Sequence, residues 1–567
     1  MPDSLLVNNK AKAQNTYDAI VIGSGVTGGW AAKELCEKGL KVLMLERGKN
    51  VVHMDYPTAT KNPWEFPHRL NLTKEEKTNN FVQSRHYSYR EDNKHFYIDD
   101  QKNPYEEIKR YDWIRGDIVG GRSLLWGRAC YRWSDLYFED NLKDGVGVDW
   151  PIRYKDIAPW YDYVESFIGV SGNADGIRDL PDGNFLPPFE MNCVETSFKQ
   201  KIEAIYPDRK VIMGRTANLT KPVQGRGQCQ ARDLCHRGCP FGAYFSTNAS
   251  TIPAAYATGN LTVRPHSLVN NIIYDEQKNK ATGVEIIDTE TKKTETFHAR
   301  IIFLNASTVA TAFILLNSTS SRFPNGLGNG SDQVGRNLMD HHKGLSISGV
   351  AEGFEDKYYY GRRPIGIFIP RFRNVNDRSD AFTRGYNFQA GAGRSGGSQP
   401  ADISIGAGLK EALGEPGMWH IGLGAYGECL PYQENRVTIN HNKKDEWGRS
   451  IVAIDCEFKE NEKAMHKDMA IAGKEMLEAA GLKNVEVNGS ISFPGNANHE
   501  MGTARMGRDP KTSVLNSFNQ MHEVPNVFIT DGSCMTSCGS VNPSLTYMAL
   551  TARACDHAVK EMKRLNL

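Results

Sequence analysis

Three cysteines on one short loop, Cys229, Cys235 and Cys239, form a C-x5-C-x3-C-P run inside GRGQCQARDLCHRGCPFGA. Thiolates are soft metal ligands, and three of them on a glycine-rich, proline-closed loop can converge on one face. Their number suits a [3Fe–4S] cluster, because a four-iron cluster normally takes four cysteines. A structural zinc with a fourth ligand such as His236, or one disulfide plus a free thiol, fits the same residues. A second chemical signal lies near the start of the chain. Gly23, Gly25 and Gly28 have the G-x-G-x-x-G spacing, and Glu46 follows 18 residues after Gly28. Gly23 permits a tight turn, Gly25 lets backbone approach a pyrophosphate, and Gly28 lets a helix pack closely on a strand. Glu46 stands where a carboxylate accepts hydrogen bonds from ribose hydroxyls. The unit predicts dinucleotide binding and leaves FAD and NAD both open.

The intervening residues supply the elements that must hold this motif. Ala19–Ile22 is a short run rich in Val and Ile, as a buried parallel strand requires. Trp30–Lys38 reads as the helix whose N-terminal N–H groups face the phosphates, Gly39 ends it, and Lys41–Leu45 reads as the second strand. At 567 residues the chain calls for two or more domains. A net charge of +1 gives no reason to expect nucleic acid or another polyanion as partner. No segment has the apolar length of a membrane span; the nearest, Ile301–Leu316, is interrupted by Asn305, Ser307 and Thr308. Residues 1–16 lack the basic start and apolar stretch of an export signal, so the default expectation is cytoplasmic. The 11 cysteines are an odd count and cannot all pair. Residues 50–110 are polar, aromatic and irregular, and no chemistry is assigned to them. Asp156–Phe167 and Asn461–Ala480 read as helices, and Leu261–Leu316 as strands followed by a helix. Residues 343–495 are β-rich with a hairpin at DEWG, which predicts a sheet with two dissimilar faces and a candidate substrate domain.

Further motifs carry a resemblance. Trp113–Trp133 reads WIRGDIVGGRSLLWGRACYRW and contains Gly120, Gly121, Ser123 and Trp126. Val334–His342 reads VGRNLMDHH, His499 opens HEMGTARMG, and Val527–Ala558 holds TDGSC and, around Asn542, SVNPSLT. With the unit at 17–48, these elements resemble the glucose–methanol–choline family of FAD oxidoreductases across nearly the whole chain. The motifs are most like those of pyranose oxidase and the bacterial FAD glucose, gluconate and fructose dehydrogenases. The resemblance implies an α/β fold: a Rossmann-like FAD-binding domain with an antiparallel-sheet substrate domain, discontinuous in sequence. The FAD-binding part would be 14–50, 108–135, 222–342 and 499–567; the substrate part would be 51–107, 136–221 and 343–498. It implies that Gly120, Gly121, Ser123 and Trp126 run beside the flavin and that Val263 lies near the adenine. Asp531, Gly532 and Thr546 join the cofactor-binding set. Leu125 stands where pyranose oxidases carry the histidine that bonds FAD, so non-covalent flavin is expected.

The family places the His499 element at the reactive edge of the flavin and either His or Asn opposite it, here Asn542, 43 residues on. His499 would take a hydroxyl proton while hydride leaves the same carbon for flavin N5, and Asn542 would hold the oxygen. The expected activity is dehydrogenation of a sugar, glycoside, polyol or sugar acid. Electrons would pass through the cysteine loop to a cytochrome or quinone-linked acceptor, with a small subunit that can carry an export signal and bring the chain to the periplasm. An oxygen-using oxidase with structural cysteines, and a non-catalytic flavin redox or assembly subunit, are the rival readings. Arg371, Arg373, Tyr386 and Asn387 could bind sugar hydroxyls, although polar residues on a sheet need no such role. The paired His341 and His342 have no acidic or cysteine partner at ligand spacing and read as structural.

Overall fold

The computed structural model describes residues 15–57, 61–358, 361, 363–394 and 405–567. Most of the stretch read for an export signal lies outside the described residues. Strand β1 (Thr16–Ile22) leads through the glycine turn into helix α1 (Val26–Glu37), which returns to strand β2 (Val42–Leu45). The helix begins at Val26, not Trp30 as expected. Gly25 is its first flanking residue, so the free N–H groups of its first turn emerge at the glycine loop itself. The apolar side chains of Trp30, Ala31, Ala32 and Leu35 are buried on it.

β1 pairs in parallel with β2 on one side and with Thr294–Leu304 on the other. The full sheet has seven strands. Its order is Leu261–Arg264, β2, β1, Thr294–Leu304, Lys280–Asp288 and Ser267–Asp275, with Val527–Ile529 pairing on Thr294–Leu304. Central strands here are covered on both faces, which is why they read as unbroken apolar runs. Thr308–Asn317 and Ser544–Lys563 are the helices that bring the later motifs against this sheet.

A second sheet has six antiparallel strands, in the order Lys483–Asn488, Ser346–Ala351, Trp419–Gly427, Tyr386–Arg394, Ile367–Ile369 and Ile212–Met213. Trp419–Gly427 alternates, burying Trp419, Ile421, Leu423 and Ala425 on one face. Helix Glu460–Ala479 contributes Met465, Met469, Met476 and Leu477, at helical spacing, to the same core. Burying each such side chain stabilises by roughly 1.5–3 kcal/mol. That contribution, more than intrinsic propensity, holds a lone amphipathic helix in place.

Two segments assigned by sequence to the substrate part pack elsewhere. The DEWG hairpin, Arg436–Lys444 with Ser450–Asp455, forms a separate sheet with Glu106–Glu107. Its Val437, Val452 and Ile454 join the core that contains Phe313 and Leu315 of Thr308–Asn317. Helix Tyr154–Ile168 packs on the final helix, where Tyr161 Oη and Thr546 Oγ1 are 2.7 Å apart.

Candidate active site

The glycine turn has a distinct reason for each glycine. At Gly23, φ is +93° and a Cβ would lie 2.3 Å from the Asn305 carbonyl oxygen. At Gly28 a Cβ would lie 1.9 Å from the Gly23 oxygen, so α1 can press onto the turn only without one. Gly25 is different: among the described residues no atom lies within 4 Å of its Cβ position, which belongs to the wall of a cavity. Glu46, buried beside it, accepts from the Ser24 N–H at 3.1 Å, the Ser24 hydroxyl at 2.6 Å and the Gly48 N–H at 3.0 Å. Burial raises its carboxyl above the usual range. Ser24 Oγ in turn accepts the Gly120 N–H at 2.8 Å, tying the two glycine loops together. A Cβ on Gly121, where φ is +47°, would touch the Gly25 Cα at 3.3 Å.

A single cavity of about 370 Å³ is walled by these loops at one part and by His499 and Asn542 at another. That size lies within the roughly 300–1,000 Å³ of small-molecule sites. Of the residues expected from sequence to bind the cofactor, Gly23, Gly25, Glu46, Gly121, Trp126, Asp531 and Gly532 line it. The remaining residues of that set do not. Gly28 faces the turn, and Gly120 (φ +99°) packs on Asn248. Ser123 donates its hydroxyl to the Gly120 carbonyl at 2.6 Å, bracing the loop from behind. Val263 points into the core with Met44 and Ile252, and Thr546 is occupied by Tyr161. Leu268 and Val269, on strand Ser267–Asp275, which follows next in sequence, line the cavity instead of Val263. Asp531 accepts from the Ser307 N–H at 2.9 Å and the Thr311 hydroxyl at 2.6 Å, fixing the start of helix Thr308–Asn317 at the cavity wall. A helix N-terminus at Val26, backbone without Cβ at Gly25 and Gly121, and a carboxylate with one lone pair to spare at Glu46 together fit a dinucleotide.

At the other end, His499 Nε2 lies 3.2 Å from Asn542 Nδ2, and Gln389 Nε2 donates to Asn542 Oδ1 at 2.9 Å. His499 Nδ1 lies 2.7 Å from His341 Nδ1. His341 therefore belongs to the site, contrary to the structural role read from sequence. His342 keeps that role, buried 3.3 Å from the Met465 sulfur. Burial holds His499 well below the usual imidazole range, reinforced by His341, Lys343 and Arg122. Arg122 donates to both Glu500 oxygens, at 3.0 and 2.6 Å, and lines the cavity with Lys343. His86 and Tyr87, from the stretch given no chemistry, are also in the wall, as are Arg128 and Tyr426. No local motif marks His86, Tyr87 or Tyr426, whereas Arg128 lies within the Trp113–Trp133 stretch. By contrast, Arg371 is buried against Asp140 and Glu428, and Arg373 and Tyr386 both engage Asp468. Asn387 donates to the Ser540 carbonyl. None of these four lines the cavity.

Cys229, Cys235 and Cys239 line one small separate pocket. All eleven cysteines are free thiols, so the disulfide alternative is not realised. Main-chain N–H groups of Phe241 and Ala243 point at the Cys239 sulfur, and that of Ala231 at Cys229. Among the described residues, no group of three or more His, Cys, Asp or Glu side chains is arranged to hold a metal ion, as either a zinc or a cluster would require. No helix among them is long and apolar enough to cross a membrane.

A parallel βαβ unit opening its glycine turn onto a cavity that ends in a His–Asn pair defines an oxidoreductase built around a dinucleotide. The chain belongs to the GMC oxidoreductase family, whose two models match residues 17–343 and 431–551. It is thus an FAD-dependent oxidoreductase acting on CH–OH donors. It is 29% identical over 560 residues to the 2-methyl-1,2-propanediol dehydrogenase of Mycolicibacterium austroafricanum, covering 95% of this chain and 94% of that one. It is 26% identical over 562 residues to the fructose dehydrogenase large subunit of Gluconobacter japonicus, covering 96% and 98%. In structure it is similar to a formate oxidase of Aspergillus oryzae, with a TM-score of 0.60 at 13% identity over 97% of this chain and 99% of the other. That likeness shows the fold.

Proposed function

We propose that this chain is a dehydrogenase that oxidises a CH–OH group of a sugar, glycoside, polyol or sugar acid. The observation that carries the reading is the 3.2 Å approach of His499 Nε2 and Asn542 Nδ2 in the wall of the cavity that Gly25 and Glu46 also line. The α1 N-terminus, Glu46, Gly121 and Asp531 would hold FAD without a covalent bond, and the flavin would supply the hydride acceptor. His499, neutral near pH 7, takes the hydroxyl proton as the carbonyl forms. Asn542, its amide held by Gln389, donates to the same oxygen and keeps the alcohol oriented. The two relatives named above act on a diol and a sugar by their names, which supports this substrate class.

The proposal extends to the cysteine loop. Cys229, Cys235 and Cys239 share one pocket and carry N–H groups on two of their sulfurs, and Cys229 and Cys235 lie within electrostatic reach of Arg128 in the cavity wall. Although no described group is arranged to hold a metal ion as it stands, we read these thiols as the ligands of a [3Fe–4S] cluster, which would supply one-electron transfer to a cytochrome or quinone-linked acceptor, with a small subunit completing the assembly. The deciding experiment is anaerobic titration of the flavoprotein with a panel of sugars, glycosides, polyols and sugar acids. Bleaching of the flavin followed by isolation of a carbonyl product supports dehydrogenation. Failure of every compound to bleach bound flavin removes the reading, and stoichiometric peroxide in air would assign an oxidase.

A further inference from the structure

We infer that His341 is a positioning residue that dictates which nitrogen of His499 carries the proton, leaving Nε2 bare towards Asn542 and the cavity. The inference rests on the reading of His499 as the base and adds the device that keeps it in basic form. The main-chain carbonyl of Gly539 can only accept a hydrogen bond. His341 Nε2 lies 2.6 Å from that oxygen, so Nε2 must carry a hydrogen. Burial pushes the His341 pKa down to about 4, so its ring is neutral and holds only that one proton. His341 Nδ1 is then a lone pair, aimed at His499 Nδ1 from 2.7 Å. A contact this short between two ring nitrogens needs one hydrogen between them, and His499 has to supply it. Its neutral ring has no second hydrogen, so Nε2 is left unprotonated.

The amide orientations at the other end of the chain of bonds are compatible with the same tautomer. Gln389 Nε2 donates to Asn542 Oδ1 at 2.9 Å, which turns the Asn542 amide nitrogen towards His499 Nε2 at 3.2 Å. An N–H facing Nε2 requires a lone pair there. Donors therefore run inward from both ends, and only the Nδ1–H tautomer of His499 satisfies every contact. The His341 and His499 rings meet edge to face, 4.9 Å apart at 89°, so the in-plane lone pair of one meets the hydrogen of the other without stacking. When Nε2 takes the substrate proton, the imidazolium keeps its Nδ1–H bond to a neutral acceptor. The charged groups facing His499 are Lys343 and Arg122, both cationic. Glu500 is held by Arg122, and Asp340 by the main-chain N–H groups of Ala497 and His499. Among the described residues, no carboxylate competes with His341 for the Nδ1 hydrogen.

The test is 15N NMR of histidine-labelled protein, with and without FAD, using two-bond 1H–15N correlations to read each tautomer. His499 should be protonated at Nδ1 and His341 at Nε2. His341→Leu should let His499 populate the Nε2–H form and slow flavin reduction by about 10–10²-fold, as loss of an orienting partner does elsewhere. His341→Gln, whose amide oxygen can accept from His499 while its nitrogen donates to Gly539, should restore the Nδ1–H tautomer and most of the rate. Wild-type His499 protonated at Nε2 overturns the inference, whether or not the leucine variant folds. So does a leucine variant with the Nδ1–H tautomer and an unchanged rate. If His499→Ala reduces flavin normally, the base reading fails, yet the tautomer result still reports separately on His341.

Discussion

Asp340 accepts the main-chain N–H of His499 at 2.9 Å and that of Ala497 at 3.1 Å, so one buried carboxyl grips the turn that presents the histidine. It comes from the same Asp-His-His run that delivers His341, and one short segment thus sets both the backbone and the ring of His499. Burial, with Glu500 nearby, raises the Asp340 pKa to about 7 from its usual 3.8. Asp340→Ala leaves two amides without their acceptor, at about 1–3 kcal/mol each if they stay buried. Chemical denaturation should show lower stability, and flavin reduction should slow as the turn loosens. The pH dependence has a definite sign. A group with a raised folded pKa stabilises fully below its unfolded pKa, and that contribution is lost as pH rises through the folded value. Asp340→Asn should therefore flatten the decline in stability between about pH 4 and 7. An unchanged slope would place the titration elsewhere.

His499→Ala removes the proton acceptor while the glycine loops and Glu46 stay in place. Stopped-flow mixing with substrate should show flavin reduction slower by about 10²–10⁴-fold, with FAD still bound after gel filtration. A normal reductive rate would take His499 out of the chemistry.

The pH profile of that rate follows from the environment of the ring. Burial and the neighbouring His341, Lys343 and Arg122 all hold His499 in its neutral form. The acid limb of kcat/KM should therefore fall below the ordinary histidine value of about 6.5. An inflection at or above 6.5 would contradict that environment.

What was legible in the sequence was local. Gly23, Gly25, Gly28 and Glu46 could be read because one βαβ unit contains its own strand, turn, helix and acid. His341 could not, because its partner is 158 residues away and charge pairing by spacing misses a contact made by two neutral rings. Arg371 shows the same limit: sequence reveals a charge, but only tertiary packing reveals that Asp140 and Glu428 enclose it. The alternation around DEWG announced a hairpin, yet a two-faced strand does not say which core receives its apolar face. Val437 and Val452 turned out to face the cofactor side.

Cys229→Ser should leave flavin reduction by substrate intact, because the loop lines a pocket separate from the His499 cavity. Electron delivery to an external one-electron acceptor should fall. Anaerobically purified wild type should contain iron and acid-labile sulfide, and the variant less of both. Zinc alone in the wild type, or unchanged delivery in the variant, would end the cluster proposal.

Two glycine substitutions separate folding from cofactor binding. In Gly28→Ala the new methyl would sit 1.9 Å from the Gly23 oxygen and 2.8 Å from its carbonyl carbon, both main-chain atoms that cannot rotate away. Helix α1 must move off the turn, so the apoprotein should lose about 1–3 kcal/mol as well as FAD. Gly25→Ala meets no atom of the described residues within 4 Å, and with φ at −64° the backbone accepts alanine without strain. Its methyl enters only the cavity. The apoprotein should unfold at the wild-type denaturant concentration while FAD binds much more weakly in fluorescence titrations. If Gly25→Ala binds FAD as tightly as wild type, the pyrophosphate does not pass over this turn, and the assignment of the βαβ unit as its anchor is wrong.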